Sequence, residues 1–486
     1  MGQGDRRHAT RGGSRARSWV VVALVLALVG GGLAAWRLGW TDDLVDRWLA
    51  ADPPDPVSEP AAVPPPEGID VPAIPSPRPV ALPADGGRLL PGAVRRALAP
   101  RLADRDLGRS VHVAVAGLSG PGTASYAVGR GTFTPASTMK LLTGAAALAV
   151  LGPDHRFPTT VVARGRTLTL VGGGDPMLGR TPGEGYPDVA NVRTLAREAA
   201  AALRGRRGRS GPVRLAYDDS LFSGPTENPS WRADYVPDDI VSPITALWVD
   251  EGLSPGRSLR VDDPSAEAAT AFADALRRAG VRVKGAPAAA RAPAGATELA
   301  RVESPPLSQV VEHVVEVSDN EGAEVLAHHV GLEVVGAGSF AGGVRGVRQS
   351  LSELGVPFPG AVLRDGSGLA RGNRLGAQTL LEVLRLAGDP GRPELRAVLT
   401  GLPVGGFTGS LAVRFDEAPA AGVGRVRAKT GSLGGVRSLA GVALDQRGTP
   451  LAFVLAADRI REVDTLDAQQ DLDNAAAALG ACRCSR

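Results

Sequence analysis

Aromatic residues make up only 4% of the 486 positions, so any sizeable core must be built from Ala, Val and Leu. Lysine is rarer still. Among 54 basic residues only Lys140, Lys284 and Lys429 are lysines, and the rest are arginines. Genome composition accounts for such a skew on most surfaces. Arginine cannot stand in for lysine where a side chain must lose a proton, because a guanidinium stays charged at any usable pH. The positions that keep lysine are therefore informative.

Cysteine is nearly absent. Cys482 and Cys484 lie in the last five residues, which reads as a frayed tail, and a thiol-free core suits an exported protein. No H-E-x-x-H occurs, and the adjacent His328 and His329 would diverge on a helix. Packing explains the six histidines, and no metal or cofactor is expected. A strong overall charge is also missing. Residues 1–40 hold six arginines against Asp5, so that segment is more basic than the whole chain at +3, and the remainder is slightly acidic. Composition thus offers no argument for nucleic-acid binding.

The N-terminal charge has a pattern. Arg6, Arg7, Arg11, Arg15 and Arg17 precede an uncharged, mostly apolar run from Trp19 to Trp36. As a helix that run would span roughly 27 Å, close to a bilayer core. The expectation is a basic cytoplasmic tail (1–18), a transmembrane anchor or signal segment (19–36) and everything after Arg37 outside the cytoplasm. Gly32 and Ala34 offer small residues for cleavage. A proline-rich stretch, including Pro64-Pro65-Pro66, reads as an extended spacer (37–85).

Globular patterning begins near Gly86. Val111–Leu118 and Ala124–Gly129 read as strands around a Gly/Pro turn. A helix opens at Thr134-Pro135 and stops at Gly152-Pro153; apolar on nearly every face, it should be buried. Near the C-terminus Arg425–Leu433 and Val436–Leu444 flank Gly434-Gly435, a hairpin signal. A strand at Leu451–Ala457 and a helix at Val463–Leu479 follow. These elements suggest one antiparallel sheet with helices on it, formed by 86–157 and 306–486. Residues 158–305, with strands, a helix and turns of their own, would be an inserted accessory region.

Three short clusters carry chemistry. Ser137-Thr138-Met139-Lys140 puts a hydroxyl and an amine three residues apart on one helical face, in a first turn whose free N–H groups favour developing negative charge. By composition about 0.2 such pairs are expected by chance, so this spacing alone is weak. Ser318-Asp319-Asn320 follows an apolar segment and would by itself pass for a helix cap. Lys429-Thr430-Gly431-Ser432 lies on the strand before the hairpin, where a lysine needs a reason. Two of the three lysines fall in these clusters.

In this order, on helix, loop and strand, the clusters resemble the S-x-x-K, S-x-N and K-T-G motifs of the active-site serine penicillin-recognising enzymes. The separation of 181 positions from Ser137 to Ser318 narrows the likeness to the low-molecular-mass class C penicillin-binding proteins, the DD-carboxypeptidase/endopeptidase family S13. Gly172-Gly173-Gly174-Asp175-Pro176, Asp218-Asp219-Ser220-Leu221-Phe222, Ser242-Pro243-Ile244-Thr245-Ala246-Leu247, Asp365-Gly366-Ser367-Gly368-Leu369 and Leu402-Pro403-Val404-Gly405-Gly406 also look like that family. Ala370, before Arg371, departs from the serine often found there.

The resemblance implies an α/β (α+β) β-lactamase/transpeptidase-like fold, with a five-stranded antiparallel sheet and helices on both faces. It implies an acyl-enzyme on Ser137 with Lys140 as base, made neutral by burial and by the second cation Lys429. Ser318 would relay a proton to the leaving amine and Asn320 would bond the substrate amide. Lys429, Thr430, Gly431 and Ser432 would hold the terminal carboxylate of D-Ala-D-Ala, with Arg371 contacting the peptide side chain. The backbone N–H groups of Ser137 and Ser432 would form the oxyanion hole. Peptidoglycan stem peptides would be the substrate and β-lactams covalent inhibitors. A β-lactamase, or a catalytically silent cell-wall-binding protein using the same groove, are the alternatives. The one G-x-S-x-G match, Gly252-Leu253-Ser254-Pro255-Gly256, is followed by Arg257–Val261, which reads as strand, whereas a nucleophile elbow enters a helix.

Overall fold

The structure is a computed structural model describing residues 87–486, apart from 120–124, 184–186, 206–210, 257–258 and 416–419. The basic tail, apolar segment and proline-rich spacer expected before Gly86 lie outside the described residues. Among the described residues no helix is long and apolar enough to cross a membrane.

Along the chain, helix α1 (Pro91–Leu102) leads into strands β1 (Ser110–Gly117) and β2 (Tyr126–Val128), then helix α2 (Met139–Leu151). A second region follows, with β3 (Pro158–Arg164), β4 (Thr167–Val171), α3 (Val192–Gly205), β5 (Arg214–Asp218), α4 (Pro264–Arg278), β6 (Ala288–Ala289) and β7 (Thr297–Glu303). The chain then returns through α5 (Leu307–Glu316), α6 (Asn320–Val335), α7 (Phe340–Glu353) and α8 (Ala377–Ala387). It finishes with β8 (Val426–Leu433), β9 (Val436–Leu444), β10 (Pro450–Asp458) and α9 (Thr465–Ala481).

The first sheet has order β2-β1-β10-β9-β8 and is antiparallel throughout. The Gly434-Gly435 hairpin joins β8 to β9, with Gly435 at φ 72° in the left-handed region. Strand β10 reads as continuous apolar sequence because helices cover both faces. One face presents mostly small residues, Ala114, Ala116, Ala440, Ala452 and Ala456, to the layer containing α2, α5, α6 and α8. The other presents Val113, Val115, Leu439, Phe453 and Leu455 to α1 and α9. Short side chains let the layer bearing Ser137 approach the sheet closely.

The second sheet, β6-β5-β4-β3-β7, is mixed. Strands β4, β5 and β6 run parallel, while β3 pairs antiparallel with β4 and β7. Parallel neighbours require crossovers, which α3 and α4 supply. Both helices bury an apolar stripe, including Leu195, Ala199, Phe272 and Leu276, in a core of their own.

Three expectations need correction. The chain does not enter an α-helix at Thr134-Pro135. The Thr134 N–H donates to Asp458 Oδ2 at 3.1 Å, Ala136 takes a positive φ of 49°, and a 3-10 turn (Ala136–Thr138) precedes α2. The expected strand after Gly256 is absent among the described residues; Leu253 and Arg260 form an isolated bridge there. Nor is the C-terminus frayed. Leu89 pairs with Ser485, Cys484 is fully buried, and Cys482 and Cys484 form a disulfide. Asp445 anchors the tail, its Oδ2 accepting from the Ser485 hydroxyl at 2.7 Å and from the Ser485 N–H at 3.0 Å.

Candidate active site

The three clusters come from elements distant in sequence and meet in one cleft of about 420 Å³ at the β8 edge of the first sheet. Ser137, Ser318, Asn320, Thr430, Ser432 and Arg371 all line it. Ser137 reaches it from the 3-10 turn, Ser318 and Asn320 from the junction of α5 and α6, and Thr430 and Ser432 from β8.

The turn carrying Ser137 is fixed from β8 and β9. Ser438 Oγ donates to Pro135 O at 2.8 Å, and Thr138 Oγ1 donates to the same carbonyl at 2.8 Å. Gly431 faces Ser438 across the ladder, where a Cβ would fall 2.1 Å from Ser438 Oγ and 2.6 Å from Pro135 O. Glycine at this position is what lets the strand approach the nucleophile's turn. Ser318 has φ 65°, a left-handed conformation uncommon for an L-residue. Asp319 then caps α6, its Oδ1 accepting the Gly322 N–H at 2.8 Å.

Lys140 is fully buried. Its Nζ donates to Ser137 Oγ at 3.1 Å, Asn320 Oδ1 at 2.8 Å and Ser367 O at 2.8 Å. Burial lowers its pKa to about 8, against the opposing pull of Asp319, Asp365, Glu324 and Glu321. Lys429 is also fully buried, with Nζ donating to Thr430 O at 3.1 Å. Burial is the leading cause of the Lys140 shift. The two cations repel each other, and the Lys429 pKa is held well below the usual value first by burial and then by Lys140. Lys284, the third lysine, is exposed on the second region.

Several contributors were not visible in the sequence. Glu324 on α6, fully buried, accepts the N–H groups of Gly366 at 3.1 Å and Ser367 at 2.8 Å. It thereby holds the carbonyl that receives Lys140. Burial first, and then Asp365, raises its pKa to about 8. Asp365 accepts from Gly368 N, Asn373 Nδ2 and Trp231 Nε1 at 2.9, 2.7 and 2.9 Å, and from Ala370 N. This shapes the loop that delivers Arg371, whose guanidinium donates to Gly434 O at 2.9 Å. Ala370 takes part through its backbone alone. Tyr235 and Ile240, from the second region, complete the cleft wall, with Tyr235 in a small apolar cluster containing Trp248, Phe340 and Leu369. The Asp365-Gly366-Ser367-Gly368 run was the available signal for the loop. Nothing local marked Tyr235.

The fold compares with solved penicillin-binding proteins. The crystal structure of penicillin-binding protein 4 from Haemophilus influenzae superposes with a TM-score of 0.62 at 21% identity, covering 79% of this chain and 98% of that one. A five-stranded antiparallel sheet covered by helices on both faces, with this likeness, puts the chain in the β-lactamase/transpeptidase-like class. The family described as D-Ala-D-Ala carboxypeptidase 3 (S13) matches residues 94–257 and 253–479, and the chain belongs to it. It is 35% identical over 412 residues to a carboxypeptidase of Mycobacterium tuberculosis, covering 82% of this chain and 85% of that one. It is 32% identical over 406 residues to the D-alanyl-D-alanine carboxypeptidase of an Actinomadura strain, covering 66% and 72%. The chain is a serine-type D-Ala-D-Ala carboxypeptidase, a hydrolase of the penicillin-binding kind.

Proposed function

We propose that the cleft hydrolyses the D-Ala-D-Ala terminus of peptidoglycan stem peptides through an acyl-enzyme on Ser137. The observation that carries this assignment is the buried Lys140 amine 3.1 Å from Ser137 Oγ. As an ammonium, Lys140 spends all three protons on its three acceptors. With one proton lost, two donors still serve Asn320 and Ser367, and the lone pair turns to the Ser137 hydroxyl. At a pKa near 8 roughly a tenth of the enzyme is in this form at pH 7.

In this reading Lys140 takes the Ser137 proton as Oγ adds to the penultimate carbonyl. The oxygen's negative charge is met by the N–H groups of Ser137 and Ser432. The C–N bond then breaks, and Ser318 relays a proton to the departing D-alanine amine. Asn320 orients the substrate amide while Lys429, Thr430 and Ser432 hold the carboxylate, with Gly431 keeping β8 close. Arg371 contacts the peptide side chain. Water cleaves the ester and restores the serine. β-Lactams present a similar carbonyl and would acylate the same oxygen; a β-lactam complex of the Haemophilus protein supports this.

The catalytic unit belongs outside the cytoplasm, held to the membrane by residues 19–36 or released by cleavage. The arginines before that apolar run support this placement. A fluorescent penicillin tests the chemistry: label should persist on the wild type and vanish in Ser137→Ala. Label retained by that variant would remove Ser137 from its role. A reporter fused after Pro83 tests the topology, and activity confined to the cytoplasm would overturn it.

A further inference from the structure

Beside the cleft, three groups with metal-ligand chemistry converge and take no part in the reaction above. Glu251 comes from the second region, His313 from α5 and Asp319 from the cap of α6. One ligand atom of each lies within 4.8 Å of the other two. His313 Nε2 and Glu251 Oε1 are 3.9 Å apart.

The second observation concerns Asp319. Its side chain is more than nine-tenths buried, at 6% exposure. Oδ1 is used by the helix cap, but Oδ2 is buried with no hydrogen-bond partner. Leaving a carboxylate oxygen desolvated and unpaired is costly, and such an atom calls for a cation or proton donor. His313 is the only member of the cluster able to donate; the Lys140 ammonium also attracts Asp319, but its three protons go to Ser137, Asn320 and Ser367.

We propose that Glu251, His313 and Asp319 form a binding site for one divalent transition-metal ion. Two carboxylates with one imidazole suit a borderline ion such as zinc better than magnesium or calcium, which favour all-oxygen sites. An ion about 2.1 Å from each ligand in tetrahedral geometry sets the ligand atoms about 3.4 Å apart, so the 3.9 Å between His313 and Glu251 must close by about half an ångström and no pair by more than about 1.4 Å. His313 and Glu251 are each partly exposed, with side-chain exposures of 26% and 33%, which leaves an entry path and room for water. The ion would tie the second region to the loop bearing Ser318, because Glu251 is on one side and Asp319 on the other.

The site makes no use of the acyl-enzyme scheme, so its test can fail while the catalytic reading stands. Metal-free full chain is titrated with zinc chloride alone by calorimetry, and with manganese as a second probe. One-to-one zinc uptake is expected, weakened at least tenfold, to an order of magnitude, by His313→Ala and separately by Glu251→Gln. Penicillin labelling of both variants verifies folding. No zinc uptake by the wild type would overturn the site. So would uptake of equal strength in both labelled variants, because the metal would then be held by other surface groups.

Discussion

An amine that must be both buried and reversibly neutral has few replacements. Lys140→Arg fills similar volume but keeps its charge, so penicillin labelling should fall to near the level of Ser137→Ala. Because the base works only when neutral, acylation should rise with pH through about 8, following the lowered Lys140 pKa. Stopped-flow labelling from about pH 6 to pH 9 measures this, and a flat profile would exclude Lys140 as the base. Gly431→Ala should also be damaging, because the new methyl meets Ser438 Oγ and Pro135 O at 2.1 and 2.6 Å. Strand and turn would have to separate, at a cost of about 1–3 kcal/mol, with slower labelling. The lysines could be read from sequence because their scarcity exposed them. Glu324 could not, since a carboxylate whose partners are two backbone N–H groups on a distant loop leaves no local pattern.

Strands and helices were legible where their periodicity was undisturbed. The β8–β9 hairpin, β10 and the end of the buried helix fall within two or so residues of their expected bounds, because turn glycines and continuous apolar runs mark them. The start of the nucleophile's helix was not legible. Tertiary bonds from Asp458 and Ser438 hold Thr134 and Pro135, Ala136 takes a positive φ that interrupts the helix, and a capping pattern cannot register partners so far along the chain. The loop 365–371 shows the same limit. Its shape depends on Asp365 and Glu324, so Glu324→Leu should leave two N–H groups unpaired and cost about 2–5 kcal/mol. Glu324→Gln, which keeps an acceptor, should fold and retain most labelling. Thermal melts with labelling kinetics distinguish the two variants; equal behaviour would argue against the loop-holding role.

For the chain as a whole, the last residues belong to the core. Removing Cys482–Arg486 takes away buried Cys484 and the bonds to Asp445, and strips Leu89 of its partner. The truncated chain should lose about 2–4 kcal/mol and melt several degrees lower, while penicillin still labels it at low temperature. An unchanged melting temperature would return the tail to the disordered reading that its composition suggested.

Ser318 carries one more consequence. Its left-handed backbone would cost a glycine about 1 kcal/mol less than it costs a side-chain-bearing residue. Selection for durability alone would favour glycine there. Keeping the hydroxyl marks a compromise in which toughness is given up for turnover, and Ser318→Gly should produce a hardier protein that is a poorer catalyst.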